Sequence, residues 1–317
     1  MTGMMILRFT LTVTLSMLAA GALAVAISLG VGGARPSEQI AFDSIAGRGS
    51  DLYLADVWHG NRIAITRTTG AQEISPAWSP DGQHLAYISM ANSNSMNLIV
   101  ADWDGRNPRI IAPLYTVNYG STLMDWSPDG GHIAIAAQNS GGQQAVYAYD
   151  VGTGQRQQIV PRVGNLYSPT YSPGGRLAFS FSPVANSEIY VFDPQIMGAL
   201  DSHTTLPAPA RITESYYTDT SPDWSPDGQW ITFVSDRTGS SEIYVMRPDG
   251  TGLRAVTDAP SIEASPSWAP DSERIVFVSN RSDGRKMFVV DIGSGETIPL
   301  SIASGDIDDQ RPAWRPH

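Results

Sequence analysis

The chain has 317 residues, with 20 Lys and Arg against 31 Asp and Glu for a net charge of −11, and no cysteine. That length allows two average domains or one large all-β domain, and 42% hydrophobic against 16% charged residues argues against wholesale disorder. The missing cysteine excludes disulfides, iron–sulfur clusters, thiol catalysis and cysteine zinc sites, and the acidic balance argues against a nucleic-acid partner.

The first element is a run without charge from Phe9 to Ala34, preceded by Arg8 and followed by Arg35-Pro36. A bilayer core needs about 20 apolar residues in a helix, so the run is long enough to span one. The competing reading is a signal peptide, with Ala22-Leu23-Ala24 or Ala24-Val25-Ala26 as small-residue cleavage sites. Residues 1–39 are therefore expected to be a hydrophobic N-terminal helix, a signal peptide or transmembrane anchor with a short linker. Arg8 favours an inside N-terminus and an extracytoplasmic remainder, periplasmic or on the cell surface, secreted or anchored.

From residue 40 onward the sequence repeats. Ser221-Pro222-Asp223-Trp224-Ser225-Pro226-Asp227-Gly228 recurs with variations, its aromatic falling at Trp78, Trp126, Tyr171, Trp224, Trp268 and Trp314. The spacing, near 46 residues, matches a four-stranded propeller blade of roughly 40–50 residues. Within one unit, residues around Pro222–Ser225 predict a short first strand. Ser225-Pro226-Asp227-Gly228 reads as a tight turn, with proline fixing φ, aspartate favouring the third place and glycine the fourth. Trp230–Ser235, Glu242–Met246 and Leu253–Thr257 follow as strands two, three and four, with a second turn at Arg247-Pro248-Asp249-Gly250.

The ends are complementary. Ile40–Phe42, Asp51–Ala55 and Arg62–Thr66 look like strands two, three and four without a first strand, and Arg311–Pro316 looks like a first strand alone. Joining them gives an all-β, six-bladed β-propeller over residues 40–317, of four-stranded antiparallel blades, with no open sheet edge. Deletion of Arg311–His317 is then expected to lower thermal stability strongly.

The Trp-Ser-Pro-Asp-Gly turns, Phe233–Gly239 (Phe-Val-Ser-Asp-Arg-x-Gly) and Ile243–Gly250 (Ile-Tyr-Val-x-x-x-Asp-Gly) resemble the WD-repeat-like propeller of the TolB family. The resemblance covers residues 40–317. It implies a propeller domain and, since TolB is a periplasmic partner of the Tol–Pal system, an envelope-protein partner. Gly174 for aspartate in a shortened turn, Met124 for proline and Tyr171 for tryptophan depart from the pattern.

The repeated groups read as structural: Trp78, Trp126, Tyr171, Trp224, Trp268 and Trp314 as anchors between sheets, and Asp81, Asp129 and Asp227 as turn residues. Five places before each anchor stand Glu73, Ser121, Leu166, Asp219, Glu263 and Asp309, acidic in four of the six. The path from an outer fourth strand to the next inner strand places Glu73, Asp219, Glu263 and Asp309 near one mouth of the channel. Tyr115, Tyr119, Tyr167, Tyr216, Tyr217, Asp258, Asp306 and Asp308 are placed around it. Such a mouth suits a basic peptide, a divalent cation or a sugar face. His59, His84, His132 and His203 fall toward the other face on different blades, and His317 is terminal, so neither a Ser–His pair nor a histidine zinc site is suggested.

The resulting expectation is an exported, monomeric, non-enzymatic propeller binding an envelope protein or peptide at its acidic-aromatic mouth. It is expected to carry no catalytic residue, no metal site and no cofactor, a divalent cation in the channel being the one group left open. The alternative is an extracytoplasmic carbohydrate- or lactone-acting enzyme using mouth carboxylates.

Overall fold

The computed structural model describes residues 38–46, 49–68, 70–92, 95–114, 124–138, 142–161, 164–183, 186–196, 207–282, 284–300 and 308–316. The apolar leader, Tyr115, Tyr119, Ser121, His203, Asp306 and His317 lie outside them. Within them are six four-stranded antiparallel sheets. In ring order, blade 1 comprises Asp308–Trp314, Gln39–Ala46, Gly49–Asp56 and Arg62–Ala64. Blade 2 comprises Gln72–Trp78, His84–Asn92, Ser95–Asp102 and Arg109–Leu114. Blade 3 comprises Met124–Trp126, His132–Gln138, Gln144–Asp150 and Arg156–Gln158. Blade 4 comprises Asn165–Tyr171, Leu177–Ser182, Glu188–Phe192 and Ala210–Arg211. Blade 5 comprises Asp219–Trp224, Ile231–Ser235, Glu242–Met246 and Arg254–Ala255. Blade 6 comprises Glu263–Trp268, Arg274–Ser279, Lys286–Asp291 and Thr297–Pro299. The outer strands of two to six residues are shorter than the sequence predicts for residues 62–66 and 253–257. Short outer strands leave little edge for another chain to pair with.

Blade 1 is closed by the two ends of the domain, with Trp314 opposite Ile40 and Ala313 opposite Ala41. Its clasp is specific. Arg315 donates its backbone N–H to Gln39 O at 2.8 Å and Nε to Gly82 O at 2.9 Å, and its guanidinium lies over Trp78 and Trp103. Gly82 sits at φ +62°, and a Cβ there would meet Pro316 O at 3.0 Å. Turn geometry and the approach of the tail thus both require glycine at this position. On the other flank Arg274 bridges Glu38 and Asp271 and stands over Trp58 and Trp314.

Proline cannot donate to a sheet ladder, yet five inner strands contain one. The residue before it absorbs the conflict as a bulge: Ser75, Ser168, Ser221, Ser265 and Arg311 have φ between 46° and 55° beside register shifts. Side chains of the preceding blade satisfy two of the displaced N–H groups, Ser75 N–H donating to Asp43 Oδ1 and Ser221 N–H to Ser180 Oγ. The core lies between blades, where Phe42, Phe179, Phe233 and Phe277 are fully buried.

Candidate functional site

The anchors occupy the inner strands, and all five tryptophans are buried. Trp78, Trp126 and Trp268 donate Nε1–H to Ala313 O, Ala77 O and Asp223 O of the preceding blade, at 3.0, 3.0 and 3.2 Å. In the turns, Asp81, Asp129 and Asp227 each accept from the serine two residues back and from an N–H two residues ahead. The serine hydroxyls hold the Asp81 and Asp129 carboxyls below the usual range.

Glu73, Asp219, Glu263 and Asp309 are all buried and held inside the blades. Arg237 grips Asp219 with two 3.0 Å bonds to its two oxygens, Arg281 reaches Glu263 at 3.0 Å, and Arg62 reaches Asp309 at 3.2 Å. Each arginine lies over a stacked aromatic pair: Phe233–Tyr244, Phe277–Phe288 and Phe42–Tyr53. Two blades supply the arginine from the loop after the second strand and blade 1 from its fourth strand, so one carboxylate–arginine–aromatic stack is built in two ways. Glu73 has Ser89 Oγ at 3.2 Å, and burial raises its pKa, as it raises that of Asp309. At this loop end Tyr216 is 96% exposed, Tyr217 46%, Asp258 and Asp308 are exposed, and Tyr167 is half-buried.

The opposite, turn-side end of the channel opens into a funnel of about 490 Å³ to which all six blades contribute. The residue immediately before each anchor lines it: Ala77, Asp125, Thr170, Asp223, Ser267 and Ala313. One side of the ring is polar and the other alanine. Asp125 Oδ2 accepts the Tyr171 N–H at 2.7 Å, and Asp223 Oδ2 accepts the Trp268 N–H at 2.9 Å, so each carboxylate joins adjacent inner strands. Thr170 Oγ1 lies 3.2 Å from Asp125 Oδ2 and 3.2 Å from Asp223 Oδ1. A single hydroxyl proton serves one of them at a time. Removal from bulk water pushes Asp125 up to about 7, with Asp223's charge adding to the effect, and Asp223 up to about 6. Among the described residues neither carboxylate has an ion-pair partner. These two positions escape a reading that compares only the motif letters, and aligning the single residue before each anchor is what reveals them.

Among the described residues no group of three or more His, Asp and Glu is placed to hold a metal ion. The described histidines stay apart: His59 bonds Asp56 in a turn of blade 1, His84 starts a strand of blade 2, and His132 lies 3.9 Å from Asp150 in blade 3.

Residues 85–317 match the TolB beta propeller domain. The chain belongs to that family. Among TolB relatives, it is 28% identical over 215 residues to the Tol-Pal system protein TolB of Bordetella pertussis, covering 66% of this chain and 43% of that one. An uncharacterized protein of Agrobacterium fabrum is 27% identical over 185 residues, 58% of each chain. The chain therefore spans between two fifths and three fifths of these curated relatives. TolB from Acinetobacter baumannii shares the fold with a TM-score of 0.74 at 20% identity, over 88% of this chain and 67% of that one.

Proposed function

We propose that this TolB-type propeller is an exported, non-enzymatic protein of the cell envelope that binds a protein or peptide segment at its central channel. The observation that carries the reading is the turn-side funnel, where Asp125 and Asp223 converge with no ion-pair partner among the described residues. A lysine or arginine of an incoming segment would offset both carboxylates and release Thr170 from its divided bond. The alanine side of the ring, with the surrounding proline and tryptophan faces, would take the apolar part of the same segment. At the loop end, Tyr216 and Tyr217 are the aromatics open to a second contact. Asp219 and Glu263 serve that end by fixing the loops that carry Arg237 and Arg281, while Glu73 and Asp309 hold strand residues of their own blades. Membership of the TolB propeller family supports an envelope partner, and the uncharged run from Phe9 to Ala34 supports export.

The test is proximity labelling in the native cell followed by capture on purified wild-type protein and on Asp125→Asn/Asp223→Asn. The wild type is expected to retain a partner that the double variant loses while keeping its fold. Equal retention by both proteins would contradict the funnel as the binding site.

A further inference from the structure

Two neighbouring grooves on the turn face can be compared place by place, because consecutive blades repeat. The groove between blades 2 and 3 measures about 440 Å³ and is bordered by Pro80, His84, Val100, Arg109 and Trp126. The groove between blades 3 and 4 measures about 700 Å³, and the corresponding places hold Pro128, His132, Ala148, Gln157 and Tyr171. Strand pairing fixes the correspondence: Arg109 stands opposite Val100, and Gln157 opposite Ala148. Three exchanges therefore remove bulk from the second groove: valine to alanine, arginine to glutamine, indole to phenol. The hairpin of the second bordering blade is also one residue shorter, closing from Ser172 N to Arg176 O in blade 4 where blade 3 closes from Ser127 N to His132 O.

The polar groups differ in the same direction. In blade 2, Asp102 Oδ2 accepts from Asn107 Nδ2 at 2.7 Å. Its counterpart Asp150 commits Oδ1 to the Thr153 N–H and hydroxyl, and Oδ2 has His132 Nε2 only at 3.9 Å. Asp129, which borders both grooves, commits Oδ1 to Ser127 and Gly131 as Asp81 does to Ser79 and Gln83. Gln155, Gln157 and Gln195 add carboxamides, each a donor and an acceptor in one plane, while Pro128, Pro173 and Pro194 supply flat apolar walls. An apolar ligand would strip water from these amides without replacing their hydrogen bonds, and an anion would meet the Asp129 and Asp150 carboxylates. The lining's cation, Arg156, lies over the Tyr147 ring and donates to Tyr149 Oη at 3.3 Å. A ring carrying hydroxyls on its rim and C–H groups on its faces satisfies both sets of groups. The volume falls within the roughly 300–1,000 Å³ of small-ligand pockets.

We infer that the groove between blades 3 and 4 is a binding site for a neutral saccharide, separate from the central funnel. The test is calorimetric titration of the full chain with maltotriose, cellotriose and tri-N-acetylchitotriose, with trigalacturonate as the anionic counterpart. The comparison protein is Ala148→Val/Gln157→Arg/Tyr171→Trp, which rebuilds the blade 2–3 lining from residues the fold already uses. Asp150→Asn is a second variant that keeps the bulk unchanged. At least one neutral probe is expected to bind wild type with Kd of about 1 mM or tighter, and the triple variant and Asp150→Asn to bind it at least about tenfold more weakly. Absence of binding by all three neutral probes, undiminished binding by the triple variant, or a preference for trigalacturonate would overturn the inference.

Discussion

The two ends of the channel use the same chemical group for opposite purposes, and blade 5 shows both on one strand. Asp219 begins that strand, fully buried, with the guanidinium of Arg237 on both oxygens. Asp223, four residues later, looks into the funnel, accepts only N–H and O–H donors, and has its pKa raised to about 6. At the loop end the carboxylate is neutralised and works as a rivet between loop and sheet. At the turn end it has no counter-charge among the described residues, which is costly to the isolated molecule and leaves it available to a cation from outside. Nearness to the channel alone thus does not give a carboxylate its role, and the charge opposite it decides.

The severest way to break the comparison is to remove the strand that carries both ends of blade 1. Deleting residues 311–317 takes away Trp314, the Arg315 clasp and the Arg311–Asp43 pair. Thermal unfolding is expected to lose its single cooperative transition or to shift far downward, and an unchanged melting temperature would contradict the closure. Next in size is Asp219→Ala, which leaves Arg237 against Phe233 and Tyr244 without its counter-charge. Because that arginine can turn partly to water, the cost is expected to be about 2–4 kcal/mol in denaturant unfolding, toward the lower side of the buried-pair range.

A smaller effect of opposite sign is expected at the funnel. A carboxyl whose native pKa lies above its unfolded value holds more protons when folded at pH values between the two. Its stabilisation is full below the ordinary 3.8 and is lost as pH rises through about 6 for Asp223 and about 7 for Asp125. Stability of the wild type should therefore fall between about pH 4 and pH 7, and Asp125→Asn/Asp223→Asn should flatten that slope. The gain above pH 7 is expected to be about 1–3 kcal/mol, limited by channel water, and a wild-type profile rising over this range would contradict it. Smallest is Asp129→Ala in the blade 3 turn, which removes bonds from Ser127 and Gly131. Chemical denaturation should read about 1 kcal/mol of lost stability.

The blade plan was legible because turn chemistry is local. Proline, aspartate and glycine at fixed offsets from each aromatic mark the hairpins, and the incomplete units at the two ends mark the closure. The bulges were less visible, since a Ser-Pro pair inside a strand reads as a break until the register shift at Ser221 shows how the ladder passes it. The candidate site was legible only as composition. Glu73, Asp219, Glu263 and Asp309 stood out for their charge, but their partners lie at distances in sequence that no single motif spans: Arg237 is 18 residues from Asp219, and Arg62 belongs to the other end of the domain from Asp309. Asp125 and Asp223 carry no signal in the motif letters because the place before the anchor varies, with Ala77, Thr170, Ser267 and Ala313 in the other blades. Their role depends on the lumen, which exists only once six inner strands face one another.

Substituting the same group at two places on one strand tests this division most directly. Thermal unfolding of Asp219→Asn and Asp223→Asn, measured side by side at pH 8, should move in opposite directions: Asp219→Asn melts below wild type and Asp223→Asn above it. Two shifts of the same sign would contradict the assignment of opposite roles to the two ends of the channel.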